Sequence, residues 1–100
     1  MLNYSDHFAE IERSLRGLVS EKKITFSASE ILEVEEFIEA HEYGLAIETF
    51  AAILLDRADD LDGITVATVQ NTARAMEIFN SGAVNGLVDR YERQHFRMVM

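Results

Sequence analysis

The chain has 100 residues, a formal net charge of −9, no cysteine and no proline. One hundred residues suit one domain with a single modest core, and the lack of cysteine excludes disulfides, thiolate metal sites and a cysteine nucleophile. The negative charge argues against nucleic acid and anionic membranes as direct partners, and the 48% share of apolar residues is typical of one ordered globular domain over residues 1–100.

Apolar residues recur at helical spacing along almost the whole chain, and no stretch alternates long enough to predict a strand. The first helix is predicted from about Ser5 to Glu21, with Ser5 as its N-cap. Its buried side is expected to contain Phe8, Ile11, Leu15, Leu18 and Val19. The polar residues before it lack the character of a signal peptide, and no apolar run approaches the roughly 20 residues that span a bilayer. We therefore expect a cytoplasmic protein.

The second helix has the best-defined start, because Ser27-Ala-Ser-Glu30 matches a capping box and Phe26 and Ile31 occupy the positions of a hydrophobic staple. This helix should run to about Ala40. Its buried arc contains Ile31, Val34, Phe37 and Ile38. Its outward face contains Leu32, Glu33, Glu36 and Glu39, so this face is acidic with one apolar residue in it.

His41, Glu42 and Tyr43 are predicted to form a turn before a third helix from Gly44 to about Arg57. Gly44 either gives the backbone freedom at this turn or lets another helix approach closely. The buried residues expected in this helix are Ala46, Ile47, Phe50, Ile53 and Leu54. Its outer side would then carry Glu48 beside the acidic face of the second helix.

The fourth helix is predicted to have Thr65 as its cap and Ile64 and Val69 as a second staple, and to end at Asn80-Ser-Gly82. Its core stripe should be Val66, Val69, Ala73 and Met76. The fifth helix runs from about Ala83 towards Arg97. In it Val84, Leu87, Val88 and Tyr91 point inward, and Arg90, Arg93 and Arg97 lie together on the opposite side. The predicted fold class is all-α, a compact bundle of about five amphipathic helices.

The motifs that resemble metal sites are incomplete. If Gly63 were position 6 of a calcium loop, Ala58 would be position 1 and Val69 position 12, and neither can bind calcium through its side chain. Glu92 and His95 have the spacing of a carboxylate-bridged di-metal site, but the chain has one such pair where two are needed. We expect His95 to be a partly buried structural histidine. The sequence therefore predicts no enzyme activity, no cofactor and no metal site.

The acidic residues are concentrated in the middle of the chain. Residues Ala28 to Asp56 include eight carboxylates and neither lysine nor arginine, and the balance from Ser27 to Asp62 is −10 while that of the rest is +1. Stable exposed helices usually mix charges of both signs. We interpret the second and third helices as a docking surface for a basic protein, with an ordinary solvated surface as the alternative.

The segment VEEFIEAHEYGLAIETF (Val34 to Phe50) resembles the MafI-like immunity proteins. These are small cytosolic antitoxins encoded beside secreted bacterial toxins of contact-dependent growth inhibition. The shared elements are an acidic helix ending in Phe-Ile and the residues Glu42, Tyr43, Gly44, Leu45, Ala46 and Glu48. The resemblance covers about a fifth of the chain. It implies an all-helical inhibitor of a toxin domain, often a nuclease, in which the motif can mark the fold rather than the contact.

Taken together, the charge pattern and the resemblance predict an immunity protein whose partner is a cognate toxin C-terminal domain, a basic nuclease. The expected contact residues are Leu32 and Tyr43 at the centre, ringed by Glu33, Glu36, Glu39 and Glu48. The alternative is a non-enzymatic, self-associating adaptor in which the arginines of the fifth helix meet the acidic helices of a second copy. The expected state is a monomer or a weak homodimer.

Overall fold

A computed structural model describes the backbone of residues 4–57 and 61–99 and the side chains of residues 6–57 and 61–95. These residues form five α-helices and no strand, so the predicted all-α bundle is confirmed. In chain order the helices are α1 (Tyr4–Glu21), α2 (Ala28–Glu39), α3 (Tyr43–Asp56), α4 (Gly63–Ala75) and α5 (Gly82–Val99). Among the described residues, no helix combines the length and apolar character that a membrane crossing requires.

Helix α3 is the centre of the bundle and packs against each of the other four helices. Its residues Ala46, Ile47, Phe50 and Ala51 are fully buried, and Phe26 packs on Phe50 with ring centroids 5.3 Å apart. Burying a side chain of this size stabilises the fold by roughly 1.5–3 kcal/mol. Helix α2 packs against α1 and α3 but, in the described residues, not against α4 or α5. Its outer face is therefore open to solvent.

The start of α2 follows the prediction. The backbone N–H of Glu30 donates to Ser27 Oγ at 3.2 Å, and the N–H of Ser27 donates to Glu30 Oε1 at 2.8 Å. Phe26 and Ile31, the two staple residues, are both buried. Two of the N–H groups that a helix leaves without partners are thus satisfied by the capping box.

The starts of α1 and α4 differ from the predictions. Ser5 lies inside α1 rather than at its N-cap. The cap of α4 is Asp62, whose Oδ1 accepts from the N–H of Ile64 at 3.2 Å. Thr65 is buried in the first turn and donates its hydroxyl to Asp62 Oδ2 at 3.2 Å, and Ile64 is 73% exposed, so it forms no staple. Asp62 is preferred because one of its carboxylate oxygens accepts from the N–H of Ile64 and the other from the Thr65 hydroxyl.

Two further predictions about the helices need correction. Helix α4 ends at Ala75, before the predicted stop at Asn80-Ser-Gly82, because Glu77 adopts a left-handed conformation with φ of 58°. Phe8 was expected on the buried side of α1 but is 39% exposed, since it lies near the start of the helix at Tyr4 and the described buried residues of α1 begin at Ile11.

Candidate docking surface

The outer face of α2 carries the predicted acidic residues. Leu32 is 55% exposed, and Glu33 and Glu36 are exposed beside it. Ile31, Val34 and Ile38 fix this orientation because they are buried on the opposite side. Within the part of the chain that the structure describes, Glu33 and Glu36 form no ion pair. We call Leu32, Glu33 and Glu36 the acidic face.

Two other acids of α2 are bound to arginines of the same chain. Arg16 of α1 donates from Nη2 to Glu39 Oε1 at 2.8 Å. Arg57 donates from Nε to both oxygens of Glu30, at 2.9 and 3.1 Å, and these hydrogen bonds lower the pKa of Glu30. Glu39 was predicted to face a partner, but its carboxylate is already paired. Both ends of α2 are therefore attached to neighbouring elements, and the free charge lies between them.

Tyr43 is not available as an exposed anchor for a partner. Its side chain is 8% exposed, and its hydroxyl donates to Glu12 Oε1 at 2.7 Å. Burial raises the pKa of Tyr43, and its hydrogen bond lowers the pKa of Glu12. The expectation that Tyr43 shares a docking centre with Leu32 is thus corrected: Tyr43 packs inside the bundle. Glu48 is half-buried on α3 and has no ion pair among the described residues.

Gly44 serves close packing rather than backbone freedom. It is helical and lacks a positive φ, whereas His41 supplies the left-handed turn with φ of 59°. A Cβ at Gly44 would lie 3.3 Å from Ile78 Cδ1. The close neighbour is therefore the segment after α4 and not α2. A sequence pattern cannot show this, because 34 residues separate the two positions.

This contact borders a groove of about 760 Å³ between the start of α3, α1 and the end of α4. The motif residues Glu42, Tyr43, Gly44 and Leu45 line one side of it. Phe8 and Leu45 line it while being 39% and 47% exposed. The sequence predictions missed the groove because it is assembled from three separate elements. The one available signal was Leu45, an apolar residue outside the buried stripe of α3, as Leu32 is in α2.

Several polar residues of α5 bond to other residues of the same chain. Arg90 donates from Nη1 to the carbonyl oxygen of Leu55 at 3.3 Å, and Arg93 pairs with Asp89 at 3.1 Å. The side chain of Arg97 lies outside the described residues. His95 is exposed rather than partly buried, and its Nε2 lies 3.0 Å from the Tyr91 hydroxyl.

A metal centre has no support in the described residues, where no three His, Asp or Glu side chains are grouped to hold an ion. In the segment compared above with a calcium loop, Asp62 caps α4 and Val69 is buried in that helix. Residues Ala58, Asp59 and Asp60 of the same loop are outside the described ranges.

The fold and the surface define an all-α domain that presents one acidic helix face to solvent. Comparisons of the chain with models of known families, with curated proteins and with solved structures found no match. The function is therefore inferred from the geometry and charge of the residues described above.

Proposed function

We propose that this protein is an immunity protein, a non-catalytic inhibitor that binds and neutralises a cognate bacterial toxin domain with nuclease activity. The observation that carries the proposal is the acidic face, where Leu32 is 55% exposed beside two carboxylates that form no ion pair within residues 6–57 and 61–95. The resemblance of Val34 to Phe50 to the MafI-like immunity proteins supports the same function.

Charge complementarity explains how such a surface would select its partner. A nuclease binds phosphates with lysine and arginine, and a carboxylate-covered helix is attracted by the same positive field. Electrostatic steering of this kind raises association rate constants to about 10⁸ M⁻¹s⁻¹ or more at low salt. The carboxylates would also disfavour binding to the nucleic acid itself.

Affinity requires more than charge, because an exposed ion pair contributes only about 0–1 kcal/mol. Apolar residues that become fully desolvated in the interface carry most of the binding free energy. Leu32 is the exposed apolar side chain of α2 that is in place for this role. The surrounding glutamates would exclude water from it and pair with the cations of the partner.

Both ends of α2, on either side of the acidic face, are bonded to neighbouring elements before binding. Glu30 in the first turn of α2 is bound to Arg57, and Glu39 in the last turn is bound to Arg16. The capping box fixes the start of the same helix. A surface that is ordered in advance loses less conformational entropy on binding, which favours tight inhibition.

The proposal is tested with the C-terminal domain of the toxin that we expect to be encoded beside this gene. At a 1:1 ratio the wild-type chain should abolish the nuclease activity of this domain. Leu32→Ala should weaken binding about 10-fold, as expected for a central apolar contact, in a calorimetric titration. The matched control is Ile24→Ala, because Ile24 is 97% exposed but lies outside α2.

Binding by the Ile24 variant should equal that of the wild type. Full nuclease activity in the presence of excess wild-type chain would show that the protein is not the inhibitor of this toxin. Equal affinities of the Leu32 variant and the wild type would place the contact elsewhere on the molecule.

A further inference from the structure

Two helices of the bundle, α2 and α4, end with the same hydrogen-bond pattern. After α2, the N–H of His41 donates to the carbonyl oxygen of Ile38 at 3.0 Å and that of Glu42 to Phe37 at 2.8 Å. After α4, the N–H of Glu77 donates to Arg74 and that of Ile78 to Ala73, both at 2.9 Å. Both ends are Schellman motifs, in which the residue after the C-cap has a positive φ and is usually glycine.

Here that residue is His41 with φ of 59° and Glu77 with φ of 58°, and the described chain has no other non-glycine residue with positive φ. A left-handed conformation lowers the folding equilibrium constant roughly 5- to 30-fold for a residue with a Cβ. Glycine at either position would relieve the strain. Residues with a strained backbone are often found at functional sites.

Both strained residues line the same groove of about 760 Å³. Its apolar side includes Phe8, Leu45 and Ile78, and the first two are 39% and 47% exposed. Glu42 and Glu77 are exposed at its edge, and its described lining residues include neither lysine nor arginine. The groove thus combines an apolar floor with an acidic edge.

We propose that this groove is a second docking site for the toxin partner proposed above, and that it receives an apolar side chain flanked by lysine or arginine. This inference depends on the proposed function, because it assigns the groove to the same basic partner. The apolar floor fits the side chain, and Glu42 and Glu77 pair with the flanking cations. The side chains of His41 and Glu77 contact the partner, which gives the two strained positions a function.

The adjoining surface provides room for a longer segment. A second cavity of about 300 Å³ shares His7, Ile11 and Ala75 with the groove and continues along α1 and α4. Its lining includes the polar residues Ser14 and Thr68, which suits the backbone of an extended segment. A segment of several residues can therefore lie across the two cavities, with its apolar side chain in the larger one.

The first test uses a synthetic peptide, Lys-Lys-Phe-Lys-Lys with blocked ends, and the full ¹⁵N-labelled chain. The peptide should shift the amide resonances of His41, Leu45 and Glu77. A control peptide with glycine in place of phenylalanine has the same charge, so it should act on the acidic face but should shift the resonances of His41, Leu45 and Glu77 less than the phenylalanine peptide does. If the two peptides cause the same shifts, the groove does not recognise the apolar side chain and the proposal fails.

The second test uses the double variant His41→Gly with Glu77→Gly. It should unfold at a higher urea concentration than the wild type, because both strained residues are relieved, and yet it should bind the toxin domain at least fivefold more weakly. A variant that gains stability and loses affinity cannot be explained by misfolding. The matched control is Ala40→Gly. Ala40 is the C-cap of α2 and does not line the groove, so this variant should keep wild-type affinity.

The outcomes separate the two proposals. Weaker toxin binding by both the double glycine variant and a charge-reversal variant of the acidic face supports both sites. If the double glycine variant binds the toxin normally while the charge-reversal variant binds it more weakly, the groove proposal is overturned and the proposed function stands. No binding of the toxin by the wild-type chain overturns the proposed function and, with it, the assignment of the groove to that partner.

Discussion

At the scale of single residues, the Tyr43 hydroxyl is part of a chain of hydrogen bonds that joins three helices. Tyr43 of α3 donates to Glu12 of α1, and Arg16 of α1 binds both Glu12 at 3.0 Å and Glu39 of α2 at 2.8 Å. Hydrogen bonds to charged groups are stronger than those between neutral groups. This network explains why the aromatic residue of the motif is buried rather than displayed on the surface.

Tyr43→Phe should remove one link of this network and destabilise the fold by about 1 kcal/mol at pH 7, since Glu12 is partly exposed. The hydrogen bond lowers the pKa of Glu12 below its ordinary value of 4.5. Its stabilising effect is therefore fully present above about pH 4.5 and is lost as the pH falls through the lower pKa of the folded state. Urea unfolding at several pH values measures the difference between the variant and the wild type.

The control for this variant is Tyr91→Phe, because the Tyr91 hydroxyl contacts the exposed His95 and no carboxylate in the described residues. Its effect on stability should be smaller and should not follow the titration of Glu12. A loss of stability in Tyr43→Phe that stays constant from pH 7 to about pH 3 would contradict the assigned role of the hydrogen bond.

At the scale of helices, the sequence predicted the regular parts well because their signals are local. The capping box at Ser27 and the apolar spacing of α2 depend on neighbouring residues, and both are present in the structure. The start of α4 was harder, since Asp62 and Thr65 are both good capping residues three positions apart. The burial of Tyr43 and the groove beside Gly44 depend on contacts between distant elements, which no local pattern contains.

Asp62→Ala tests the assignment of the α4 cap. It removes the acceptor for the N–H of Ile64 and leaves the buried Thr65 hydroxyl without its carboxylate partner. We expect a loss of about 2 kcal/mol in the free energy of unfolding, measured by urea denaturation.

The control for this variant is Asp56→Ala, an exposed carboxylate at the end of α3 with no ion pair in the described part of the chain. This change should alter stability by less than about 0.5 kcal/mol. Equal losses from the two alanine variants would mean that Asp62 does not act as a cap.

At the scale of the whole molecule, the central feature is a negative charge that the described residues neutralise only in part. Of the eight carboxylates from Ala28 to Asp56, Glu30 and Glu39 are bound to arginines that lie outside this segment. The other six have no ion pair among the described residues. Arg90 and Arg93 of α5 interact with Leu55 and Asp89 rather than with these acids. The acidic face therefore remains available to cations of another protein.

The ion pairs of Glu30 and Glu39 with arginines show which carboxylates should be replaced in an association experiment. Reversal of Glu39 would place a lysine beside Arg16 and disturb the attachment of α2 to α1, whereas Glu33 and Glu36 have no such partner among the residues that the structure describes. The variant Glu33→Lys with Glu36→Lys changes the acidic face while leaving both attachments of α2 intact.

The most direct test of the central claim is the rate constant for association with the toxin domain, measured by stopped flow over a series of salt concentrations. For the wild type we expect about 10⁸ M⁻¹s⁻¹ at low salt and a steep decrease as salt is added. The double charge reversal should reduce the low-salt rate at least about 10-fold and flatten the salt dependence. Identical rates and identical salt dependence for the two proteins would contradict the claim that the acidic face of α2 guides the partner to its site.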